Sequence, residues 1–464
     1  MPPISKIHFE ISERKILLRI FDVIFVFMSL FMVDKLLNFK YLDFSSNNIY
    51  WILVLGLYLN ILGTVFEMYN LQVASNQFQV IRSIVLTAST TVLFYLLTPI
   101  FTPLLPLSRL QIVYFFLAIL GGLLFWRIFY QSFLASHRFE KKAVIICDRE
   151  EVAELVESLQ NVDPHYRIVG FLHNNLKSKE GFQYKNLKSV NVADLRDFIK
   201  KNMVSEIVIA SQKKAKMTVP LYNQLLHLLE NGFIIREYSQ VYEQITQRIP
   251  IAHFDKDFFM YFPFSRSNQN KLYLLIVKVL EVFLSVIGLT VGLIILPFIM
   301  VGNLFGNRGK LLYTQERVGK NGIPFKIYKF RTMVKNAESN GAVFATVNDS
   351  RINPFGKLLR KTRLDEIPQF INILKGEMGF IGPRPERPVF VNELAEVMPF
   401  YETRHVIKPG LTGWAQVNYA YGETMDDSLI KLQYDLYYIK HRSVFLDLNI
   451  MIKTFSTVLF YRGQ

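Results

Sequence analysis

Two adjacent carboxylates, Asp365 and Glu366, are the residues whose types and spacing first suggest chemistry. They begin what reads as a helix with Pro368 in its first turn. Neighbours on a helix point about 100° apart, so the pair cannot act symmetrically on one substrate atom. The two suit different tasks, one as a nucleophile on phosphorus and the other as a Mg²⁺ ligand that shares the metal with substrate phosphates. Most isolated Asp-Glu pairs are simply exposed surface.

Cations suited to phosphate lie on both sides of this pair in the sequence. Lys329 and Arg331 belong to Y-K-F-R-T-M, and Arg384 stands between Pro383 and Pro385. Lysine meets phosphate as a point charge and arginine as a planar fork. A basic, lipid-facing surface is the alternative for many such residues. Arg384 fits that alternative poorly, because lipid contact alone does not need a loop stiffened by two prolines.

Composition limits the class of protein. The chain has 464 residues, which predicts two or three units, and it is 51% hydrophobic with a formal net charge of +15. A basic, apolar protein binds either nucleic acid or a membrane face with anionic lipid and phosphate substrates. The single cysteine, Cys147, excludes an intramolecular disulfide framework and a cysteine zinc site.

Four apolar segments in the first third favour the membrane. They run at about 16–33, 49–66, 84–105 and 110–126, each near the roughly 20 residues that span a bilayer as a helix. Buried core helices are the alternative. Lysine and arginine concentrate before the first span, between the second and third, and after the fourth, which predicts that both ends of the bundle face the cytoplasm. We therefore expect a multi-pass protein of the cytoplasmic membrane and no nucleic-acid partner.

The middle third alternates β and α patterns, which indicates a parallel sheet. Its first β–α turn reads C-D-R-E-E and has none of the glycines that let a backbone approach a pyrophosphate. A structural or regulatory role is favoured over a nucleotide site. Strands are predicted at 143–147, 167–172, 206–210 and 233–237, and helices at 150–159, 192–200 and 219–230.

A fifth apolar run, 272–300, is long enough to span the membrane. The segment after it is strongly basic, which belongs on the cytoplasmic side. A re-entrant helix that breaks near Pro297 and returns to the same face satisfies both observations, and an ordinary fifth span is the alternative. The last apolar run, 445–460, reads as an amphipathic helix on the membrane or as a buried packing helix.

The predicted fold is therefore a membrane protein with three parts. Residues 1–135 form a four-helix transmembrane bundle, and residues 136–255 a Rossmann-like α/β domain without a glycine fingerprint. Residues 256–464 form an α-rich catalytic domain that contains the re-entrant helix 272–300. The middle and catalytic domains are expected to face the cytoplasm.

From about residue 271 to the end, the chain resembles the bacterial sugar transferases, the monotopic phosphoglycosyl transferases. Five motifs carry the resemblance in order: Y-K-F-R-T-M, L-D-E-I-P-Q, N-I-L-K-G-E-M-G-F-I-G-P-R-P, K-P-G-L-T-G-W-A-Q-V-N and Y-D-L-Y-Y-I-K. With the four N-terminal spans and the middle unit, the whole chain resembles the long form of that family. Undecaprenyl-phosphate galactose or glucose phosphotransferases typify this form.

The resemblance implies that a hexose 1-phosphate moves from a UDP-sugar to undecaprenyl phosphate with release of UMP. That reaction initiates exopolysaccharide, capsule or O-antigen synthesis. Asp365 matches the nucleophile that forms a covalent phospho-sugar intermediate, and Glu366 the neighbouring carboxylate that holds Mg²⁺. Arg384 matches an arginine on the donor phosphate. The other matching positions are the basic pair Lys329 and Arg331, the acidic residues Glu402 and Asp435, and Pro297 at the break of the re-entrant helix.

Other functions stay open on the sequence. A membrane glycosyltransferase that moves only the sugar would release UDP instead of UMP. A membrane sensor or scaffold without catalysis would show no turnover. The sequence does not identify the sugar. The resemblance favours glucose or galactose, and an N-acetylated or deoxy sugar stays open. A homodimer is expected.

Overall fold

The structure is a computed structural model that separates into two compact units, Met1–Thr246 and Gln247–Gln464. The predicted three-way division at residues 135 and 255 stays a prediction. The structure describes residues 11–37, 39, 41, 48–69, 77–106, 108–130, 132, 141–148, 151–160, 162–163, 166–173, 184, 187–210, 218–251, 265–306, 309–334, 337, 349–419 and 424–459.

The first unit begins with four apolar helices, as predicted. They are α1 (Ile11–Leu37), α2 (Ile49–Val65), α3 (Gln77–Leu97) and α4 (Arg109–Phe129). Three contain stretches long and apolar enough to cross a membrane, and α2 is a shorter apolar helix of 17 residues. The predicted end of the third span at residue 105 is wrong. The helix ends at Leu97, because Pro99 follows two residues later and disfavours helical backbone at the residue before it.

The bundle contains a buried ion pair between helices α1 and α4. Arg127 Nη2 lies 2.6 Å from Asp22 Oδ2, and neither side chain is more than 1% exposed. Apolar side chains from all four helices form the surrounding core. Arg127 is therefore neutralised inside the bundle and does not act as a free basic flank, and the predicted orientation rests on the other basic residues.

The rest of the first unit is the predicted α/β fold. Its elements are β1 (Lys141–Cys147), α5 (Val152–Gln160), β2 (Tyr166–His173), β3 (Lys188–Val190), α6 (Leu195–Asn202), β4 (Glu206–Ile209), α7 (Val219–Glu230), β5 (Ile234–Glu237) and α8 (Tyr238–Thr246). The five parallel strands lie in the order β3-β2-β1-β4-β5, with two apolar layers against the sheet. Strand β3 has only three residues and was not predicted.

The second unit is largely helical and has two small sheets. Its elements are a 3₁₀ turn (Arg266–Asn268), α9 (Lys271–Gly306), β6 (Leu312–Val318), a 3₁₀ turn (Lys320–Gly322), β7 (Pro324–Phe330), α10 (Pro354–Lys361), a 3₁₀ turn (Leu364–Gln369), α11 (Phe370–Lys375), β8 (Gly379–Ile381), α12 (Pro388–Val397), a 3₁₀ turn (Tyr401–Val406), β9 (Gly410–Thr412), α13 (Trp414–Asn418), α14 (Met425–His441) and α15 (Val444–Leu459). Strands β6 and β7 form an antiparallel hairpin, and β8 and β9 form a parallel pair.

Helix α9 is the predicted fifth apolar run, and it is longer than expected. Its 36 residues are continuous through Pro297 and end at Gly306. The helix assignment is therefore continuous across the predicted break, but a proline can bend a helix without ending it, so the break at Pro297 stays a prediction. At 1.5 Å per residue the helix is about 54 Å long, well beyond the roughly 30 Å of a bilayer core. Its path relative to a membrane stays a prediction.

Candidate active site

The two carboxylates lie in a 3₁₀ turn, Leu364–Gln369, where the sequence predicted the first turn of an α-helix. Arg363 precedes the turn with a positive φ of 58°, and α11 begins only at Phe370. A 3₁₀ turn has three residues per turn, so adjacent side chains point about 120° apart and residues three apart share a face. Asp365 and Glu366 thus point in different directions, as expected, and Glu366 shares its face with Gln369.

The 3₁₀ turn and the residue after it pack against helix α9 at two glycines, Gly288 and Gly292. A side chain at Gly292 would collide with Ile367, and one at Gly288 would collide with Phe370. The close approach is possible only because neither residue has a Cβ atom. These two glycines, together with the apolar packing of Ile367, fix the Asp-Glu turn against the apolar helix.

Three cations surround Glu366. Its Oε1 lies 3.3 Å from Lys329 Nζ and 3.2 Å from Arg384 Nη2, and its Oε2 lies 3.3 Å from Arg363 Nη1. Lys329 comes from strand β7, Arg384 from the loop after β8, and Arg363 from the residue before the turn. The structure therefore brings the predicted residues Lys329, Glu366 and Arg384 together. It adds Arg363, which is contiguous with the motif but was not predicted.

Burial and charge give the two carboxyl groups opposite pKa shifts. Both residues are 7% exposed. Burial, and next the charge of Glu366, raise the pKa of Asp365 to about 6, against the attraction of Lys329 and Arg360. Burial alone would raise the pKa of Glu366 too, but Lys329, Arg384 and Arg363 outweigh it and hold that pKa well below its usual range. Glu366 is thus an anion at neutral pH, whereas Asp365 titrates about one unit below neutral pH.

A second ion pair, between Arg404 and Asp435, contacts the backbone of the loop that contains Arg384. Arg404 Nη2 donates to the backbone oxygen of Arg384 at 2.9 Å and to Asp435 Oδ2 at 2.8 Å, and its Nη1 donates to the Tyr401 hydroxyl at 2.6 Å. Asp435 is 2% exposed and Arg404 6%. Asp435, predicted as a substrate-binding residue, therefore contacts Arg404, which in turn contacts the backbone of Arg384. Arg404 was missed, because nothing in its local sequence distinguishes it.

Two predicted residues lie elsewhere. The guanidinium of Arg331 lies against the backbone at Gly309. Glu402 is exposed and lines a separate cavity of about 210 Å³ with the turn at Asn321 and with His405. The contacts of the described residues do not bring either of them to Glu366.

The donor set fits a magnesium ion only together with a substrate. Among the described residues no cluster of three His, Cys, Asp or Glu side chains could hold a metal alone. Mg²⁺ is commonly held by one or two carboxylates plus substrate phosphates and water. Asp365 and Glu366 supply such a pair. Because both oxygens of Glu366 face cations, an incoming phosphate that attracts those cations would release an oxygen for the metal.

The comparisons with known proteins agree with this arrangement. Residues 272–461 match the model of the bacterial sugar transferase family. A protein from Bacillus subtilis (strain 168), named uncharacterized sugar transferase EpsL, is 38% identical over 157 residues, which cover 33% of this chain and 72% of that protein. This chain belongs to the bacterial sugar transferase family. Residues 64–234 of this family member also match the model of a CoA-binding domain.

Longer relatives carry more specific names. UDP-N-acetylgalactosamine-undecaprenyl-phosphate N-acetylgalactosaminephosphotransferase from Aeromonas hydrophila is 39% identical over 221 residues, covering 48% of this chain and 51% of that protein. UDP-glucose:undecaprenyl-phosphate glucose-1-phosphate transferase from Xanthomonas campestris pv. campestris is 32% identical over 281 residues, covering 57% and 55%. The match spans about half the length of each of these two relatives.

Proposed function

We propose that this sugar transferase moves a hexose 1-phosphate from a UDP-sugar to undecaprenyl phosphate and releases UMP. The observation that carries the proposal is the buried Asp365 beside a carboxylate that three cations surround. The names of the Aeromonas and Xanthomonas relatives support the acceptor and suggest N-acetylgalactosamine or glucose as the sugar. Galactose, favoured on the sequence together with glucose, remains in the set to test.

Asp365 acts as the nucleophile in a two-step reaction. In the first step its carboxylate oxygen forms a bond to the phosphorus that carries the sugar, the bond from that phosphorus to the bridging oxygen breaks, and UMP leaves with the electron pair. In the second step a phosphate oxygen of undecaprenyl phosphate attacks the same phosphorus and the bond to Asp365 breaks. Two displacements through a covalent intermediate let a water-soluble donor and a lipid acceptor use the site in turn.

The cations around Glu366 stabilise the charge on the phosphoryl group. Phosphoryl transfer depends mostly on positioning and on fixed positive charge around the equatorial oxygens. Lys329, Arg363 and Arg384 lie within 3.3 Å of Glu366 in the absence of a phosphate. With Asp365 ionised, the three cations and two carboxylates sum to +1, which favours an incoming anion. The Arg404–Asp435 pair keeps Arg384 in this position.

Mg²⁺, when bound by Glu366 and Asp365, would neutralise charge on the donor diphosphate and so help UMP to leave. Asp365 does not lose its role as nucleophile, because a carboxylate has two oxygens. The adjacent Glu366 stays ionised through its cations and keeps a negative site for the metal at and well below neutral pH, because its pKa is strongly lowered.

The membrane arrangement is part of the same proposal. Helix α9 enters the membrane, bends at Pro297 and returns to the cytoplasmic face. The catalytic unit and the middle unit both face the cytoplasm. The apolar face of α15, with Phe445, Leu448 and Phe455 exposed, lies on anionic lipid at that face. The protein acts in the bacterial inner membrane as a homodimer.

The test uses purified full-length protein in lipid nanodiscs with Mg²⁺, undecaprenyl phosphate and, separately, UDP-glucose, UDP-galactose and UDP-N-acetylgalactosamine. UMP and UDP are quantified side by side. The expected result is UMP with one donor and a phospho-sugar mass on the peptide that contains Asp365 when the acceptor is left out. UDP as the product would identify a glycosyltransferase that moves only the sugar. Folded protein with no turnover on any donor would favour a sensor or scaffold.

A further inference from the structure

A small cavity lies on the Glu366 side of the 3₁₀ turn. Its volume is about 10 Å³, and a space of that size holds about one water-sized oxygen atom. Four polar side chains line it: Arg317, Lys329, Gln369 and Arg384. Lys329 and Arg384 already contact Glu366. The cavity therefore belongs to the proposed active site, but two of its lining residues have no role so far.

Gln369 is the first of these two residues. It is the last residue of the Leu364–Gln369 turn and three residues after Glu366, so the two side chains share a face. Only 3% of Gln369 is exposed, and within the described ranges its Nε2 has no hydrogen-bond acceptor. A buried donor without an acceptor lowers stability, and nearly all such groups in folded proteins are satisfied. The unpaired donor indicates that the site binds an acceptor from outside the chain.

Arg317 is the second residue. It comes from strand β6, and its Nη1 and Nη2 donate to the Pro385 backbone oxygen at 3.0 Å and to Gln315 Oε1 at 2.6 Å. Its Nε, also buried, has no acceptor among the residues that the structure describes. Burial, together with the repulsion of Arg384, lowers the pKa of Arg317 despite Glu386 nearby. An anion in the cavity would relieve both the unpaired N–H group and the repulsion between the two arginines.

We propose that Gln369 and Arg317 hold one non-bridging oxygen of the transferred phosphoryl group. The inference rests on the proposed function and adds two residues to it. The cavity has room for one oxygen atom and is lined by N–H donors and cations, which is what a phosphate oxygen requires. Asp365 does not line the cavity, but it belongs to the same six-residue turn as Gln369, so a phosphoryl group attached to Asp365 can extend one oxygen to the Glu366 side of that turn after UMP has left.

The test compares Gln369→Met with wild type and with Gln433→Met, all as full-length protein in nanodiscs. Methionine keeps the length of glutamine and removes the donor. Gln433 is a matched control, because it is also buried, at 8% exposure, but lies on α14 and does not line the cavity. Three quantities are measured: formation of the Asp365 adduct from the UDP-sugar, its decay on adding undecaprenyl phosphate, and the melting temperature with and without 10 to 50 mM inorganic phosphate, roughly the range for a weak anion site.

In Gln369→Met we expect both half-reactions to slow by about 10²-fold, as after loss of one oxyanion donor. The melting temperature without phosphate should stay equal or rise, because an unsatisfied buried donor has been removed. Phosphate should raise the melting temperature of wild type and of Gln433→Met but not of Gln369→Met. Arg317→Met should likewise slow both half-reactions.

Several results would overturn the inference. Half-reaction rates within about twofold of wild type in Gln369→Met would show that its donor is not used. A lower melting temperature together with slower reactions would show a structural role. Slowing of the first half-reaction alone would place the donor on the departing UMP.

The phosphate measurement separates this inference from the proposed function. If wild type forms no adduct with any donor, the proposed function fails. Even then, a phosphate-induced rise in melting temperature that is lost only in Gln369→Met would support the anion site. An equal shift in wild type and Gln369→Met, or no shift in either protein, would contradict it.

Discussion

Glu206 in the α/β unit and Glu366 in the catalytic unit are both buried carboxylates held by cations, but their surroundings differ. Glu206 lies 2.8 Å from Lys141 and 2.5 Å from Arg236, and it accepts the Tyr166 hydroxyl at 2.6 Å. Glu206 lies on β4, and its partners come from the two flanking strands, β1 and β5, and from β2 beyond β1. The cations around Glu366 lie 3.2 to 3.3 Å away, beside a second carboxylate and a cavity.

The two sites show which property separates a structural buried carboxylate from a functional one. Burial alone would raise the pKa of Glu206, but Lys141 and Arg236 lower it, just as cations do for Glu366. A depressed pKa therefore does not distinguish the two sites. What distinguishes them is the space around each carboxylate. Glu206 has contacts of 2.5 to 2.8 Å on both oxygens, whereas the contacts of Glu366 are 3.2 to 3.3 Å long and lie beside a cavity that could hold a ligand atom.

The largest effect is expected for Asp365→Asn. The amide is a poor nucleophile, so adduct formation and UMP release should fall by about 10³-fold or more. The melting temperature should not fall, because the variant replaces a carboxyl group that burial already disfavours in its charged form. Adduct mass spectrometry and a thermal scan measure both. A phospho-sugar adduct of normal yield in this variant, on whichever peptide it is found, would mean that another residue attacks.

The comparison itself is tested by the pair Glu366→Gln and Glu206→Gln. Glu366→Gln should slow UMP release by about 10²-fold, because it removes the charge that orients three cations and that would hold the proposed metal. Glu206→Gln should leave the rate per folded molecule unchanged. It should lower the free energy of unfolding by ~3 kcal/mol, because two cations lose their buried partner. Equal losses of activity in both variants would contradict the distinction between a functional Glu366 and a structural Glu206.

The pH dependence of adduct formation comes next in size. In the proposed reaction Asp365 attacks as the carboxylate, and its pKa is raised to about 6. The rate should be level above that pH and fall about tenfold for each unit below it. Rapid-quench measurements of the adduct from about pH 4.5 to about pH 8, a range of roughly two units around the transition, would show this limb.

A control is needed because burial raises the pKa of Asp435 to about 6 as well, against the attraction of Arg404. Asp435→Asn removes that group. If the acid limb belongs to Asp365, it persists in this variant at the same midpoint. Its disappearance in Asp435→Asn would assign the limb to the wrong carboxyl group.

Asp435→Asn itself should have the smallest effect on rate. Asparagine keeps an oxygen that accepts from Arg404, so Arg384 keeps most of its position, and kcat/KM should fall by about tenfold through small misplacement of the guanidinium. KM for the UDP-sugar should rise in parallel. A rate loss as large as that of Glu366→Gln would mean that Asp435 contacts the substrate directly.

Local sequence patterns predicted most of the fold. Apolar runs predicted the four N-terminal helices, and alternating patterns predicted the longer strands of the parallel sheet. The errors were also local. The short strand β3 offered too few residues for a pattern, and the prediction of α3 weighed hydropathy over Pro99. The turn at Asp365 was predicted as an α-helix, because the sequence does not show that Ile367 and Phe370 must fit onto two glycines of α9.

The site was predicted only where a residue stands in a motif. Lys329, Glu366 and Arg384 meet as expected. Arg404 and Arg317 were missed, because their significance depends on partners 20 and 68 residues away along the chain. Gln369 was missed because its donor is left unpaired only after folding. Whether a donor is buried and lacks an acceptor depends on tertiary contacts, so no pattern in a single sequence could have revealed it.

The packing of the Asp-Glu turn on two glycines of α9 fixes the position of the carboxylates along that helix. Gly288 and Gly292 fix Ile367 and Phe370 at one level along an apolar helix, so Asp365 is fixed at that level too. If α9 enters a lipid layer as proposed, the depth of the helix sets the depth of the carboxylates. The proposed lipid acceptor must then bring its phosphate to that depth, because the reactive group is fixed beside the helix.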